Sequence, residues 1–397
     1  MRFARPSREG KPSTAEFPFL TFHRSLRLWS PVHRETVDPV CPHDAAHGVG
    51  MTSLSAEGIH LHSPAAICCA IPYLLGFHPS GSAVLVWLQD SRIVLTQRID
   101  LPAPEIAATL WAKAAGAHPV AGTTEAVIAV LFPQDDIPPD HVRLRELAHA
   151  IVDEGWSERI DVIRAHSDAW SDLLCDDPAC CLPEGEPIDP CVRDAIAAEF
   201  AGRGLSPMES RDAIVTSLGP HADLVKQVTS TGLLMGDRGV GRTGEEREAW
   251  RDDMVVAVLA WARDRSASPE PLRMATLLLA LRDTRVRDTV LWELARLRPR
   301  KVVVAADQFA RLLRAAPGED VAAVATCACV SYWLVGDGTR AGIALDRALD
   351  ADPNYRMAQI LDNALHLGCP PSQWRDAMRS LRREECRRPG EPEDAST

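Results

Sequence analysis

Lysine is nearly missing from this chain. Among 397 residues it stands only at Lys11, Lys113, Lys226 and Lys301, so arginine carries almost all the positive charge, as in proteins from GC-rich genomes. Cations as a whole are in deficit, with a formal net charge of −12. Nucleic-acid binding draws much of its affinity from cations that displace condensed counterions, so a nucleic acid is not an expected partner. Long apolar runs are lacking too. The longest, Pro64 to Phe77, is 14 residues and holds Pro64 and Pro72; a spanning helix needs ~20. Near the start, Glu9, Lys11, Glu16 and Arg24 interrupt any hydrophobic core of a signal peptide. These absences point to a cytoplasmic protein with no membrane partner. In that compartment the 11 cysteines are not expected to form a disulfide framework.

Familiar catalytic motifs are also missing. The chain has no G-x-S-x-G elbow, no H-E-x-x-H and no G-x-x-x-x-G-K-[ST]. This weighs lightly against an enzyme, because catalytic residues need not be neighbours in sequence.

What is present is ordinary globular composition, 46% hydrophobic and 25% charged, in a length that suits two domains. Residues 1–53 read as a disordered or mis-assigned N-terminal extension. Their first 50 lack sustained periodicity and carry a formal charge of about +2, against about −14 for the remainder. Residues 54–186 read as an α/β domain. Ala83 to Leu88 and Arg92 to Arg98 form a β-hairpin around the polar turn Gln89-Asp90-Ser91. Pro104 opens a helix to Ala115. Ala126 to Phe132 is a strand buried on both faces, and 140–154 a helix with an apolar stripe from Val142, Leu144, Leu147, Ala148 and Ile151. Arg159 to Ala165 alternates as a half-exposed strand. The order, a hairpin and then α-β-α-β, predicts a layered sheet covered by helices.

From 187 to 382 helix punctuation takes over, predicting an all-α helical-array domain. Asp189-Pro190 starts a helix, and Ser206-Pro207-Met208-Glu209 has the form of a capping box that starts another. The glycine-rich segment 232–244 formally contains G-x-G-x-x-G at Gly239, Gly241 and Gly244. Without a strand before it, it reads as a flexible break and not as a dinucleotide site. Helices are expected at about 245–264, 270–282, 285–297, 301–315, 319–335, 338–350, 355–367 and 371–381. Cys329, Tyr332, Ala341, Leu345, Ala348 and Pro353 fall at the spacing of one tetratricopeptide-like helical pair. Residues 383–397 read as a disordered tail.

Two features could carry chemistry. The loop Gly76-Phe77-His78-Pro79-Ser80-Gly81-Ser82 precedes the first strand and offers His78, Ser80 and Ser82 as candidate ligand-binding residues. Cys175, Cys180 and Cys181 stand as C-x4-C-C, with Cys191 ten residues further on. That cluster admits three readings: packing within a loop, a zinc site, or a redox site with one acidified thiol.

The stretch IPYLLGFHPSGSAVLVWLQDSRIVLTQRID, residues 71–100, resembles the opening of an actinobacterial family described as domain of unknown function 4192. The resemblance implies a cysteine cluster at this place, there followed directly by proline; here Leu182 intervenes before Pro183. It also implies an acidic residue before the second serine of the loop, where this chain has Gly81. The functional expectation is a non-catalytic interaction or regulatory module whose helical domain meets a protein partner. The alternative is an enzyme with a site near the 76–82 loop or the cysteines, with zinc as the candidate cofactor.

Overall fold

The computed structural model describes residue 61 and residues 63–386, apart from 91, 119, 122, 135–139, 167, 176, 178–183 and 236–243. The first described helix is α1, Pro64–Leu75. Ser63 caps it by accepting the Ala66 amide at 3.1 Å, Pro64 sits where no amide partner is needed, and Gly76 ends it at φ +79. This is the apolar run that is too short for a membrane. No described helix is long and apolar enough to cross one.

Strands β1 (Ser82–Gln89) and β2 (Arg92–Asp100) form the expected hairpin, its turn marked by Asp90 at φ +52. Helix α2 covers Ala108–Gly116, so Pro104 lies in a turn four residues before the helix and not at its first position. Strand β3 (Ala126–Phe132), helix α3 (His141–Glu154) and strand β4 (Arg159–His166) form a crossover unit, with β3 and β4 parallel. Two short strands complete the sheet, β5 (Ala169–Asp172) and β6 (Glu186–Pro187). The sheet order is β2-β1-β3-β4-β5-β6, and every neighbouring pair except β3–β4 is antiparallel.

Both faces of the sheet are covered. Ala83, Leu85, Trp87, Val127, Ala129, Leu131 and Val162 pack against Ala112 of α2 and Leu144, Leu147 and Ile151 of α3. Alternate residues Val84, Val86, Ile128, Val130 and Ile163 face α1 and α4 (Pro190–Gly202), where Tyr73 stacks on Phe200 at 4.7 Å. This double covering explains the unbroken apolar runs of β1 and β3.

The helical part continues with α5 (Arg211–Leu218), α6 (Ala222–Met235), α7 (Gly244–Ala262), α8 (Pro271–Arg282) and α9 (Thr284–Leu294). After these come α10 (Pro299–Ala315), α11 (Gly318–Leu334), α12 (Gly338–Ala351), α13 (Arg356–His366) and α14 (Pro371–Ser380). Helix α11 is buried from Asp320 to Leu334, so the other helices wrap it rather than stack in an open row. Cys329, Ala341 and Ala348 are fully buried where α11 meets α12; small side chains there let the two axes approach.

One apolar cluster runs without a break from the α1 face of the sheet to Leu361 in α13. Polar contacts cross the same boundary. The Thr339 hydroxyl donates to the Leu75 carbonyl at 2.7 Å. At Gly368, φ +62, a Cβ would come within 2.6 Å of the His118 ring and 3.2 Å of Leu95, so the α13–α14 corner sits directly on the sheet's outer edge.

The Ser206–Glu209 segment is not a capping box. Ser210 caps α5, accepting the Ala213 amide at 3.1 Å. Met208 is held in a bridge to Phe77, its amide donating to the Gly76 carbonyl at 2.8 Å and its carbonyl accepting the His78 amide at 3.1 Å. Tertiary hydrogen bonds at Met208 override the local capping pattern.

Candidate functional site at the carboxyl edge of the sheet

In an α/β sheet, ligands gather where parallel strands end, because the following loops and helix N-termini converge there. In this chain that edge is the end of β3 and β4. The 76–82 loop reaches it from the α1 side. Ser82 pairs with Phe132 on one side and Asp100 on the other, the Gly81 amide donates to the Pro133 carbonyl at 3.4 Å, and the Leu101 amide donates to the Gly81 carbonyl at 3.0 Å.

The three predicted loop residues take different positions. Ser82 is fully buried; its hydroxyl donates to the Ser80 carbonyl at 2.6 Å and accepts from Arg98 Nε at 3.0 Å, and Arg98 pairs with Asp100 at 2.6 Å. Ser80 is half-buried and His78 is exposed. The hydroxyl of Ser82 is thus part of the sheet's own hydrogen bonding.

The opposite face of the same edge carries a cluster that the sequence reading missed. Arg164 is 2% exposed, and its Nη1 lies 2.9 Å from Nδ1 and 3.3 Å from Nε2 of His141, the first residue of α3. Near-equal distances to both nitrogens place the guanidinium against the ring rather than in line with one lone pair. Nε of Arg164 and Nδ1 of His166 are buried and have no hydrogen-bond partner among the described residues. Partial burial of the His141 ring, reinforced by the Arg164 charge, pushes its pKa down. A period of two was the available signal: Ile160, Val162, Arg164 and His166 share one face of β4, and that face lies under α3.

Gly185 completes the surroundings. Its φ is +91, and a Cβ there would come within 2.8 Å of Arg164 Nη2 and 2.8 Å of the Trp170 carbonyl. Only glycine lets the chain pass so close to the guanidinium.

The cysteines are only partly in view. Cys175 is half-buried and unpaired, with its thiol 3.9 Å from the Asp177 carbonyl and its own carbonyl accepting from Arg145. Cys180 and Cys181 lie outside the described residues. Among the described residues no group of three His, Cys, Asp or Glu could hold a metal. Cys191, in the first turn of α4, is disulfide-bonded, while Cys68, Cys69, Cys175, Cys327, Cys329, Cys369 and Cys386 are free. A thiol at a helix N-terminus is more readily ionised, and the thiolate is the species that forms disulfides.

The amino edge of β3 and β4 carries an open hollow lined by Thr123, Thr124, Glu125, Gly155, Ser157 and Glu158. Its Glu125 is paired with Arg159 at 3.3 Å.

A family model described as a domain of unknown function (DUF4192) matches residues 64–372. The chain belongs to that family. The DUF4192 match begins at the first residue of α1 and ends within α14, so sheet and helical part lie inside one family unit. No curated protein and no solved structure matches the chain.

Proposed function

We propose that the chain is a non-catalytic, cytoplasmic regulatory module. In this reading a ligand site at the carboxyl edge of the sheet is sensed by the helical part, which presents its outer faces to a protein partner. The observation that carries the reading is the setting of the 76–82 loop. One end of it is tied to the helical part through Met208 and Thr339, and the other end is tied into the sheet at Pro133 and Leu101. A displacement at the sheet edge therefore strains contacts that belong to α12 and to the α4–α5 connection. Against a nucleophilic Ser82 stand its complete burial and its two committed hydrogen bonds.

The test is Thr339→Val, which removes the hydroxyl from the Leu75 carbonyl without touching the sheet. Amide exchange should quicken in 76–82 and at Leu101 as well as around residue 339. Faster exchange confined to the first turn of α12 would show that the loop transmits nothing.

A further inference from the structure

We infer that the carboxyl edge of β4 binds a small ligand through a carboxylate or phosphoryl oxyanion, gripped by Arg164 and His166 at the N-terminus of α3. The inference names the ligand chemistry of the site proposed above and rests on that reading for its location only.

Arg164 occupies a costly position. A guanidinium keeps its charge across the accessible pH range, and a buried charge without a counter-charge is strongly disfavoured. Arg164 is 2% exposed and no carboxylate hydrogen-bonds to it among the described residues. Its hydrogen-bond partner among the described residues is the His141 ring, which carries no negative charge. Glu184 attracts it electrostatically, but that side chain is exposed and makes no hydrogen bond to the guanidinium.

The donors left over have a definite shape. Nη1 is against His141, and Nε has no hydrogen-bond partner among the described residues, so the guanidinium keeps a donor unspent for an anionic oxygen of a carboxylate or phosphate. Nη2 faces the bare backbone of Gly185, where any side chain would collide with it. Nδ1 of His166, two residues further along the same face of β4, is the second buried unpartnered nitrogen.

Helix α3 adds field and amides. It has 14 residues, and its partial positive charge lies at His141. Asp140 turns its carboxylate to the Arg143 amide at 3.0 Å, and its backbone carbonyl accepts the Leu144 amide at 2.9 Å. The amides of His141 and Val142 have no partner among the described residues. His141 and Val142 are themselves exposed.

The experiment is calorimetric titration of the full chain with acetate, with inorganic phosphate and with sulfate, ionic strength being held constant with chloride. Saturable binding of acetate alone assigns a carboxylate ligand; saturable phosphate and sulfate assign a phosphoryl group. Arg164→Lys keeps the charge but loses the fork, and it should weaken binding about tenfold or more. His166→Gln should weaken it by a smaller factor. No saturable binding of any of the three anions overturns the inference, as does binding unchanged in both variants. If Arg164→Lys does not fold, His166→Gln decides: weaker binding supports the site and unchanged binding overturns it. Saturable binding without altered exchange in 76–82 would leave the site standing and remove the regulatory reading.

Discussion

Asp161 is a single residue whose environment can be tested by pH. It lies on the α1 face of β4, and burial, then the nearby Asp172 charge, push its pKa up to about 6 against a partial offset from Arg159. A raised carboxyl favours the folded state only while protonated. That contribution is complete below the ordinary value of 3.8 and is lost as pH rises through about 6. Asp161→Asn should therefore stabilise the protein above about pH 6, by ~1–2 kcal/mol after allowance for solvent screening, and leave it unchanged near pH 4. Thermal midpoints measured at both ends check this; an equal gain at both would place the effect outside titration. Residue-scale reading of the site was only half possible. The 76–82 loop stands out because Gly, Pro, His and Ser cluster there. Arg164 does not stand out, since Arg159 and Asp161 give the start of β4 a half-exposed pattern while its later residues are covered on both faces.

At the scale of elements, helices and strands with long periodic patterns were legible: β1 to β4, α3, and α7 to α14 fall close to their expected spans. The misses share a cause. Helix α1 hides in an unpatterned apolar run because it is buried on several sides, with Pro72 inside it. Helix α6 runs into the glycine-rich segment at Gly232. Strands β5 and β6, of four and two residues, are too short to show a period; β5 forms on the edge that β4 offers and β6 on the edge of β5. The start of α5 shows tertiary structure overruling a motif. Ser210→Ala should cost about 1 kcal/mol in urea unfolding, as loss of an N-cap does, while Ser206→Ala should cost close to nothing. The reverse order would restore the capping box and contradict the Phe77–Met208 bridge.

In the whole molecule, the proposed function requires sheet and helices to act as one body, so that an event at the sheet edge is felt in the helical part. The shared apolar cluster, the Thr339 bond to Leu75 and the seat of Gly368 on His118 all bear on it. Sequence could show two kinds of punctuation along the chain but not that one core joins them, because the joining residues are ordinary core residues in either part. Native-state hydrogen exchange tests the claim most directly, by comparing the Val130 amide in β3 with the Val330 amide in α11 as denaturant is added. Both amides should exchange through the same global opening, with equal free energies and equal denaturant dependence. Exchange of Val130 at a distinctly lower free energy, with Val330 still protected, would mean that the sheet opens alone and would contradict it.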